Sequence, residues 1–494
     1  MSAATNTAPS ASAAFDWPLA YEAERVVGGL VAAFLAGNVF ARRLAERMRD
    51  ETGTDFFEWI DHLVVGGEHV AALRAAGFVE ESVEAGAGEN VFWHPRAMMP
   101  WVLVAADRCR AGSPDPAANG ATRSNATAGS GDPALQLRIF SLAIRVESLA
   151  DFLAAHDCAT EIEGAWGARL RRALVSDEGG AKLFAVERLG ARGFVVREPA
   201  ASFVGATLRA RELWRTRRRD FTLAEGGDTA GVAHAHARLD AVLALVDRDA
   251  ACELFFAEER RFWEARNRAG RVQKRRQDML GLGWANHDHH TFRCSRAHFA
   301  DLMEFLAKLG FEKRERFFAG AEAGWGAQIL EQAVAGIVVF ADVDLMPEET
   351  TIDFSTQRLP PAPALRTVGL WCGLHGDSFL QAGMHHLEAR FDFARLREQL
   401  AGEGVATMRP FSDFEFLRQA FTEGERWRVR PERVAALLEQ KLITAEQAAG
   451  FRRDGAIGSH LENLQRKGGF KGFNQKSVSA IIAATDPRAV QAAH

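Results

Sequence analysis

The sequence predicts an α+β protein built from four βαβββ units, paired two and two into curved mixed sheets, with a helical insertion and a helical C-terminal tail. Two observations lead there: a strand–helix–strands pattern that recurs along the chain, and one segment that returns almost unchanged at the same place in two copies. The first unit opens on the strand-like run Phe56–Val65 (FFEWIDHLVV), followed by an amphipathic helix at 68–77 and short strands around 90–105. The second begins at 135–148 (LQLRIFSLAIRVES), with the helix SLADFLAAHD and the stretch EIEGAWGARLRRALV behind it. The third starts at 286 with NHDHHTFRCS, then the helix RAHFADLMEFLAKLG and the strand GIVVFADVDL. The segments EGAWGARL (163–170) and EAGWGAQIL (322–330) mark equivalent places in units two and three. The fourth runs from about 366, through TVGLWCGLHGDSFLQAGMHHLEARF and the helix DFARLREQLAGEG to MRPFSDFEFL. A strand has side-chain period 2 and a helix 3.6, and the apolar residues switch between these periods as the pattern requires.

The boundaries read as a disordered tail and helical lead-in at 1–50, a degenerate first pair at 51–205 and a helical insertion at 206–282. A metal-bearing pair at 283–425 and a helical, basic tail at 426–494 follow. Residues 111–133 lack hydrophobic payload and read as a flexible loop, while the basic runs at 215–220 and 271–278 read as solvated helix faces. The 494 residues are 47% hydrophobic and 25% charged, with 60 basic against 65 acidic side chains and a net charge of −5. That balance lacks the basic footprint of a nucleic-acid binder. No apolar run reaches the roughly 20 residues of a membrane span, and the N-terminus has no signal-peptide pattern. Five dispersed cysteines (Cys109, Cys158, Cys252, Cys294, Cys372) form no CxxC pair, which excludes a disulfide scaffold and suits a reducing cytoplasm. The expected partners are small molecules, and a homodimer is compatible with this composition.

The histidines are unevenly placed. His287, His289 and His290 sit on the first strand of the third unit, and His385 and His386 on that of the fourth. Strand alternation puts His287 and His289 on one face and His290 on the other. First strands of paired units lie side by side, so one His from each enters the same concavity. A carboxylate then completes the 2-His-1-carboxylate set that holds Fe(II) with open positions. Glu415, on a separate late strand, gives better facial geometry than Glu388, which shares a strand with His386. No nucleotide loop or nucleophile elbow is present. Gln328 and Glu331 are candidates for the pocket wall, and Arg466 to Lys471 for a basic lid.

Asp288-His289-His290-Thr291-Phe292-Arg293, followed by its helix and Leu309-Gly310-Phe311-Glu312, resembles the first metal-bearing unit of the 2-oxoadipate dioxygenase/decarboxylase (hydroxyglutarate synthase) family. His385-His386-Leu387-Glu388-Ala389-Arg390 is similar to its second element, and Ser412-Asp413-Phe414-Glu415-Phe416 to its third. The resemblance is confined to about residues 286–419 and implies a vicinal-oxygen-chelate-type core. It implies Fe(II) on His289, His386 and Glu415, with Arg293 holding a substrate carboxylate and Arg390 a second candidate for that task. The implied reaction is dioxygenation and decarboxylation of a small 2-oxo acid. The chain departs from the family at His385, where the family has Asn, and at Glu388, where it has Thr. The rival readings are a metal-dependent isomerase or lyase on the same fold, and a small-ligand binding protein. The first half reads as having lost its site: Ser141 stands where His289 would, and Gly66 where Arg293 would, though Asp61-His62 remains.

Overall fold

The structure, a computed structural model, describes residues 17–86, 89–105, 139–320 and 324–474. The expected loop at 111–133 and the disordered tail at 1–15 lie outside the described residues. The first half opens with helices α1 (Tyr21–Gly37) and α2 (Val39–Arg47). Its first unit is β1 (Ile60–Val65), α3 (Val70–Ala75), β2 (Val79–Glu81), β3 (Glu89–Trp93) and β4 (Trp101–Ala105). Its second is β5 (Ile139–Arg145), α4 (Leu149–Ala155), β6 (Ile162–Glu163), β7 (Leu170–Glu178) and β8 (Ala181–Arg188). Four helices intervene: α5 (Ala201–Arg215), α6 (Gly227–Leu243), α7 (Arg248–Glu264) and α8 (Arg268–Asp278). The third unit is β9 (His287–Arg293), α9 (Phe299–Lys308), β10 (Glu312–Phe318), β11 (Trp325–Gln332) and β12 (Ile337–Asp344). After α10 (Thr367–His375) comes the fourth: β13 (His386–Arg390), α11 (Phe393–Gly402), β14 (Ser412–Phe414), β15 (Leu417–Phe421) and β16 (Glu425–Trp427). It continues through α12 (Pro431–Glu439), α13 (Ala445–Asp454) and β17 (Ala456–Arg466).

The first sheet runs β2-β3-β4-β1-β5-β8-β7-β6 and the second β10-β11-β12-β9-β13-β17-β15-β14, with β16 on β17. In each, the two units meet through antiparallel first strands, β1 on β5 and β9 on β13. Within each unit the first strand is parallel to the last. This is the vicinal-oxygen-chelate arrangement, and the α+β expectation holds.

One boundary needs correction. The second pair does not end at 425: its last strand is β17, seated between β13 and β15. Two helices separate β17 from the strands it joins, and Ala456 to Leu464 are buried without interruption. A strand covered on both faces loses the period-2 alternation that would reveal it.

The insertion is tied to the second sheet by one aromatic core. Trp214, Phe255, Phe256 and Trp263 pack with Phe292 of β9, Phe305 of α9 and Leu387 of β13. Each such side chain contributes roughly 1.5–3 kcal/mol on burial. Helix α7 is preceded by Asp247, whose carboxylate caps the amides of Asp249 and Ala250. The basic run at 215–220 is not a solvated face: Arg217 is buried, 2.7 Å from Glu259, and donates to the carbonyl of Phe379 at 2.8 Å. The run at 271–278 keeps Arg271 and Arg275 exposed and turns Gln273 and Gln277 inward. Burial without a partner would cost these groups more than the turn they make inward.

No single described helix is long and apolar enough to cross a membrane. The bent pair α1 and α2 buries Val27, Leu30, Phe34 and Leu44 in the core of the first sheet.

Candidate metal centre

Three adjacent central strands build the site. On β9, His289, Thr291 and Arg293 face a cavity while Phe292 turns into the helical core. Register sets His289 opposite Glu388 of β13, and Glu388 beside Glu462 of β17. One row across the sheet therefore holds an imidazole and two carboxylates, whose ligand atoms lie within 4.8 Å of one another. His386, two residues before Glu388, shares its face. Glu388 Oε1 lies 2.8 Å from His289 Nε2 and 2.7 Å from His386 Nε2, and it accepts from the Thr291 hydroxyl at 2.9 Å. Glu462 Oε2 lies 3.7 Å from His386 Nε2, and Gln419 donates to its other oxygen at 2.8 Å.

The partners behind each imidazole leave its Nε2 toward the centre. Asp288 Oδ1 is 2.9 Å from His289 Nδ1, and Asp288 is itself held by Arg466 through two contacts of 3.0 and 2.9 Å. His386 Nδ1 is 2.6 Å from His385 Nδ1. The Asp288 carboxylate, an acceptor only, fixes at His289 the tautomer a metal ligand needs, while His385 and His386 share one proton between their Nδ1 atoms.

The electrostatics suit a cation. Burial pushes His289 down to about 4, against the opposing pull of Asp288. Burial also takes His386 well below its ordinary value. Both imidazoles are therefore neutral donors. Burial and the Glu462 charge push Glu388 well above the carboxylate range, and burial pushes Glu462 up to about 8. Two buried acids set against two neutral imidazoles are disfavoured as anions until a positive charge joins them. Glu388 Oε2 has no hydrogen-bond partner among the described residues. His289, His386, Glu388 and Glu462 thus fit a divalent ion of the imidazole-and-carboxylate class.

The cavity over this row measures about 90 Å³. At roughly 10–15 Å³ per water-sized occupant it suits a compact ligand. Phe340 and Phe473 roof it, and Arg293, His385 and Asp342 line it with the metal-facing residues. Arg293 stands 5.7 Å from the Trp371 ring and 4.0 Å from Asp342. Burial pushes the Asp342 carboxyl up to about 7, against the pull of Arg293.

His289, His386 and Arg293 come together here, and so does Glu388, the rival candidate for the carboxylate; Glu415 and Arg390 do not. Glu415 lies exposed on the turn between β14 and β15, and the acids that face the centre from the last unit are Glu388 and Glu462. The SDFEFL segment spends its middle on a reversal, so its Glu never enters a strand. Arg390 is no substrate ligand in this structure: it reaches the first half, donating to the Glu58 carbonyl at 2.9 Å, with Glu58 Oε2 3.4 Å away. His287 does not share the face of His289. A register slip opposite Glu388 and Ala389 turns it to the helical side, where its ring lies 5.1 Å from that of His290. Gln328 donates to the Glu315 carbonyl, and Glu331 pairs with Lys471 at 2.9 Å, so neither lines the cavity. Glu462 and Asp342 were not singled out from sequence. The spacing His460-x-Glu462, matching His386-x-Glu388, was the available signal.

The first half repeats the frame without the acids. His62 Nδ1 is 2.7 Å from Asp61, which Arg188 holds at 2.6 and 2.7 Å. In register, Ala143 and Phe184 occupy the places of Glu388 and Glu462, and Ser141 takes that of His386 rather than that of His289, which His62 holds. Phe194 covers His62, with ring centroids 4.9 Å apart.

No family model and no curated protein match the sequence. Solved structures that superpose include a triple mutant of 4-hydroxymandelate synthase from Streptomyces coelicolor, 14% identical, covering 87% of this chain and 98% of that one with a TM-score of 0.26. Methylmalonyl-CoA epimerase from Mycobacterium tuberculosis is 12% identical over 37% of this chain and 88% of its own, TM-score 0.21. A xylose isomerase-like TIM barrel/4-hydroxyphenylpyruvate dioxygenase fusion protein is 11% identical over 87% and 52%, TM-score 0.22. At such values no activity passes from them to this chain.

Proposed function

We propose that the chain is an Fe(II)-dependent dioxygenase that decarboxylates a small 2-oxo acid. The observation that carries this is the meeting of His289 Nε2, His386 Nε2 and the carboxylates of Glu388 and Glu462 in one buried cavity that Arg293 also lines. His289, His386 and Glu462, one from each of three neighbouring strands, would hold the metal. Bound ferrous ion supplies a two-point template for the carboxylate and keto oxygens of a 2-oxo acid, and electrons for reaction with O₂. Arg293 binds a substrate carboxylate through its planar guanidinium, which matches that group with two parallel hydrogen bonds. Phe340 and Phe473 exclude water from above, and Thr291 fixes the Glu388 carboxylate by hydrogen bonding. The reaction balances as one 2-oxo acid and one O₂ giving CO₂ and a hydroxy acid shorter by one carbon. One oxygen atom enters the new carboxyl group and the other the hydroxyl.

Glu388 favours a second reading. With Glu388 added to His289, His386 and Glu462, the site would suit an ion acting as a Lewis acid in an isomerase or lyase that needs no O₂. Oxygen uptake by anaerobically Fe(II)-loaded protein across a panel of 2-oxo acids, with His289→Ala alongside, tests both. Uptake matched by CO₂ and abolished in the variant supports the dioxygenase. Metal binding without uptake for any acid overturns it in favour of the Lewis-acid enzyme, and failure to bind metal overturns both.

A further inference from the structure

The guanidinium of Arg466, the last residue of β17, makes three kinds of contact at once. Nε and Nη2 grip Asp288 at 3.0 and 2.9 Å, and Asp288 in turn holds His289 Nδ1 at 2.9 Å. Nη1 donates to the carbonyls of Phe470 and Gly472 at 3.1 and 2.7 Å. The group also lies 5.2 Å from the Phe473 ring centroid. Residues 467–474 thereby fold back as a strap, and Phe473 packs on His289 at 5.1 Å and on Phe340 at 4.3 Å.

The far side of that strap is held by the first half. Ala20 donates to the Gly468 carbonyl at 2.7 Å, Met98 to the Gly469 carbonyl at 2.8 Å, and the Gly468 amide to Glu24 at 2.9 Å. Gly468 and Gly469 take φ of +62° and +57°, and a Cβ on Gly469 would stand 2.9 Å from Ala97 Cβ. Only glycine fits there.

The same device occurs once more, in the first half, where no acid pair faces the imidazole. Arg188 grips Asp61, donates to the carbonyls of Ala191 and Gly193 at 2.9 and 2.8 Å, and lies 5.1 Å from the Phe194 ring. Phe194 covers His62 as Phe473 covers His289. What differs is the acid pair, present in one half and replaced by Ala143 and Phe184 in the other.

We infer that Arg466 is a positioning residue for the metal centre, and that the first half acts on this centre through the strap that Arg466 seats. This rests on the reading that His289 binds a metal. Arg466→Lys keeps a charge beside Asp288 but cannot make the fork and the two carbonyl contacts together. Arg188→Lys makes the same change where Ala143 and Phe184 replace the acid pair, and Gly469→Val disturbs the strap without altering any cavity residue.

Co(II) affinity, measured by chelator competition, is expected to fall roughly 10–100-fold in Arg466→Lys. Gly469→Val weakens it in the same direction, while Arg188→Lys stays within about twofold of wild type. In ¹⁵N-labelled, Zn(II)-loaded wild type, the His289 Nδ1 proton should be shifted downfield and slow to exchange; this readout does not depend on the variants folding. Wild-type affinity in Arg466→Lys, an equal loss in Arg188→Lys, or a fast-exchanging His289 proton each overturns the inference while leaving the metal site standing. A wild-type chain that binds no metal removes the functional reading and this one together.

Discussion

Asp342 offers a test of how dry the cavity is. Its carboxyl is held up to about 7 against an ordinary 3.8, because burial disfavours the anion more than Arg293 favours it. The folded state therefore keeps a proton that the unfolded chain gives up, and stability falls as pH rises between those two values. A shift of about three units is worth about 4 kcal/mol at 1.36 kcal/mol per unit, of which about 3 kcal/mol is expressed between pH 5 and 8. Asp342→Asn removes the titration. Urea unfolding of metal-free wild type and variant across that range makes every other titrating group cancel in the difference. With a slope near 3 kcal/mol/M, the wild-type midpoint should drop about 1 M further than that of Asp342→Asn on going from pH 5 to 8. Midpoints that run parallel would mean that water reaches Asp342, and the burial argument for the whole cavity would fall with it. The same titration bears on ligand binding. On the role proposed for Arg293, an ionised Asp342 competes with a substrate carboxylate above pH 7, so affinity for 2-oxoglutarate should weaken with pH in wild type and stay flat in Asp342→Asn.

Three further outcomes are expected. Glu462→Gln should lose more than about a hundredfold in Co(II) affinity, since a ligand matters at least as much as the groups behind it, whereas Glu415→Ala should match wild type; metal content after dialysis decides between them. Chelation should leave the far-ultraviolet circular dichroism unchanged while lowering the melting temperature, because metal that binds only the native state adds about 3 kcal/mol at a hundredfold excess over Kd. Phe255→Ala, in the core that joins α7 to β9, should cost about 3–5 kcal/mol in chemical unfolding with no change in metal stoichiometry.

The sequence carried the repeat well because each unit opens on a strand followed at once by an amphipathic helix, and those local periods survive in any context. It carried His289, His386 and Arg293 because they sit on the strands at the unit junction. Glu462 was hidden for the same reason that it is useful. A central strand wrapped on both faces shows no alternation, and α12 and α13 detach it from the rest of its unit. Glu415 was misplaced because a Phe-Glu-Phe triplet has strand period even when the backbone reverses there. His287 was assigned to the wrong face because a slip of one residue in pairing exchanges the two sides of a strand, and nothing in the residues themselves marks the slip. Arg390 had the spacing of a substrate ligand, yet its reach into the first half depends on a contact between residues more than three hundred positions apart.

The place of β17 has a consequence for how the protein is made. Last among the described strands in sequence, it lies inside its sheet between β13 and β15 rather than at an edge. The first sheet can close from local segments as the chain emerges, since domains generally fold as units beginning at the N-terminus. The second must wait, with β13 and β15 presenting unpaired edges to each other, until residue 466 has been added. Such edges are templates for pairing with other chains, so the vulnerable interval in the life of this protein is the time between synthesis of β15 and arrival of β17. A release that stopped short of that strand would yield an intact first half beside an open, association-prone second one.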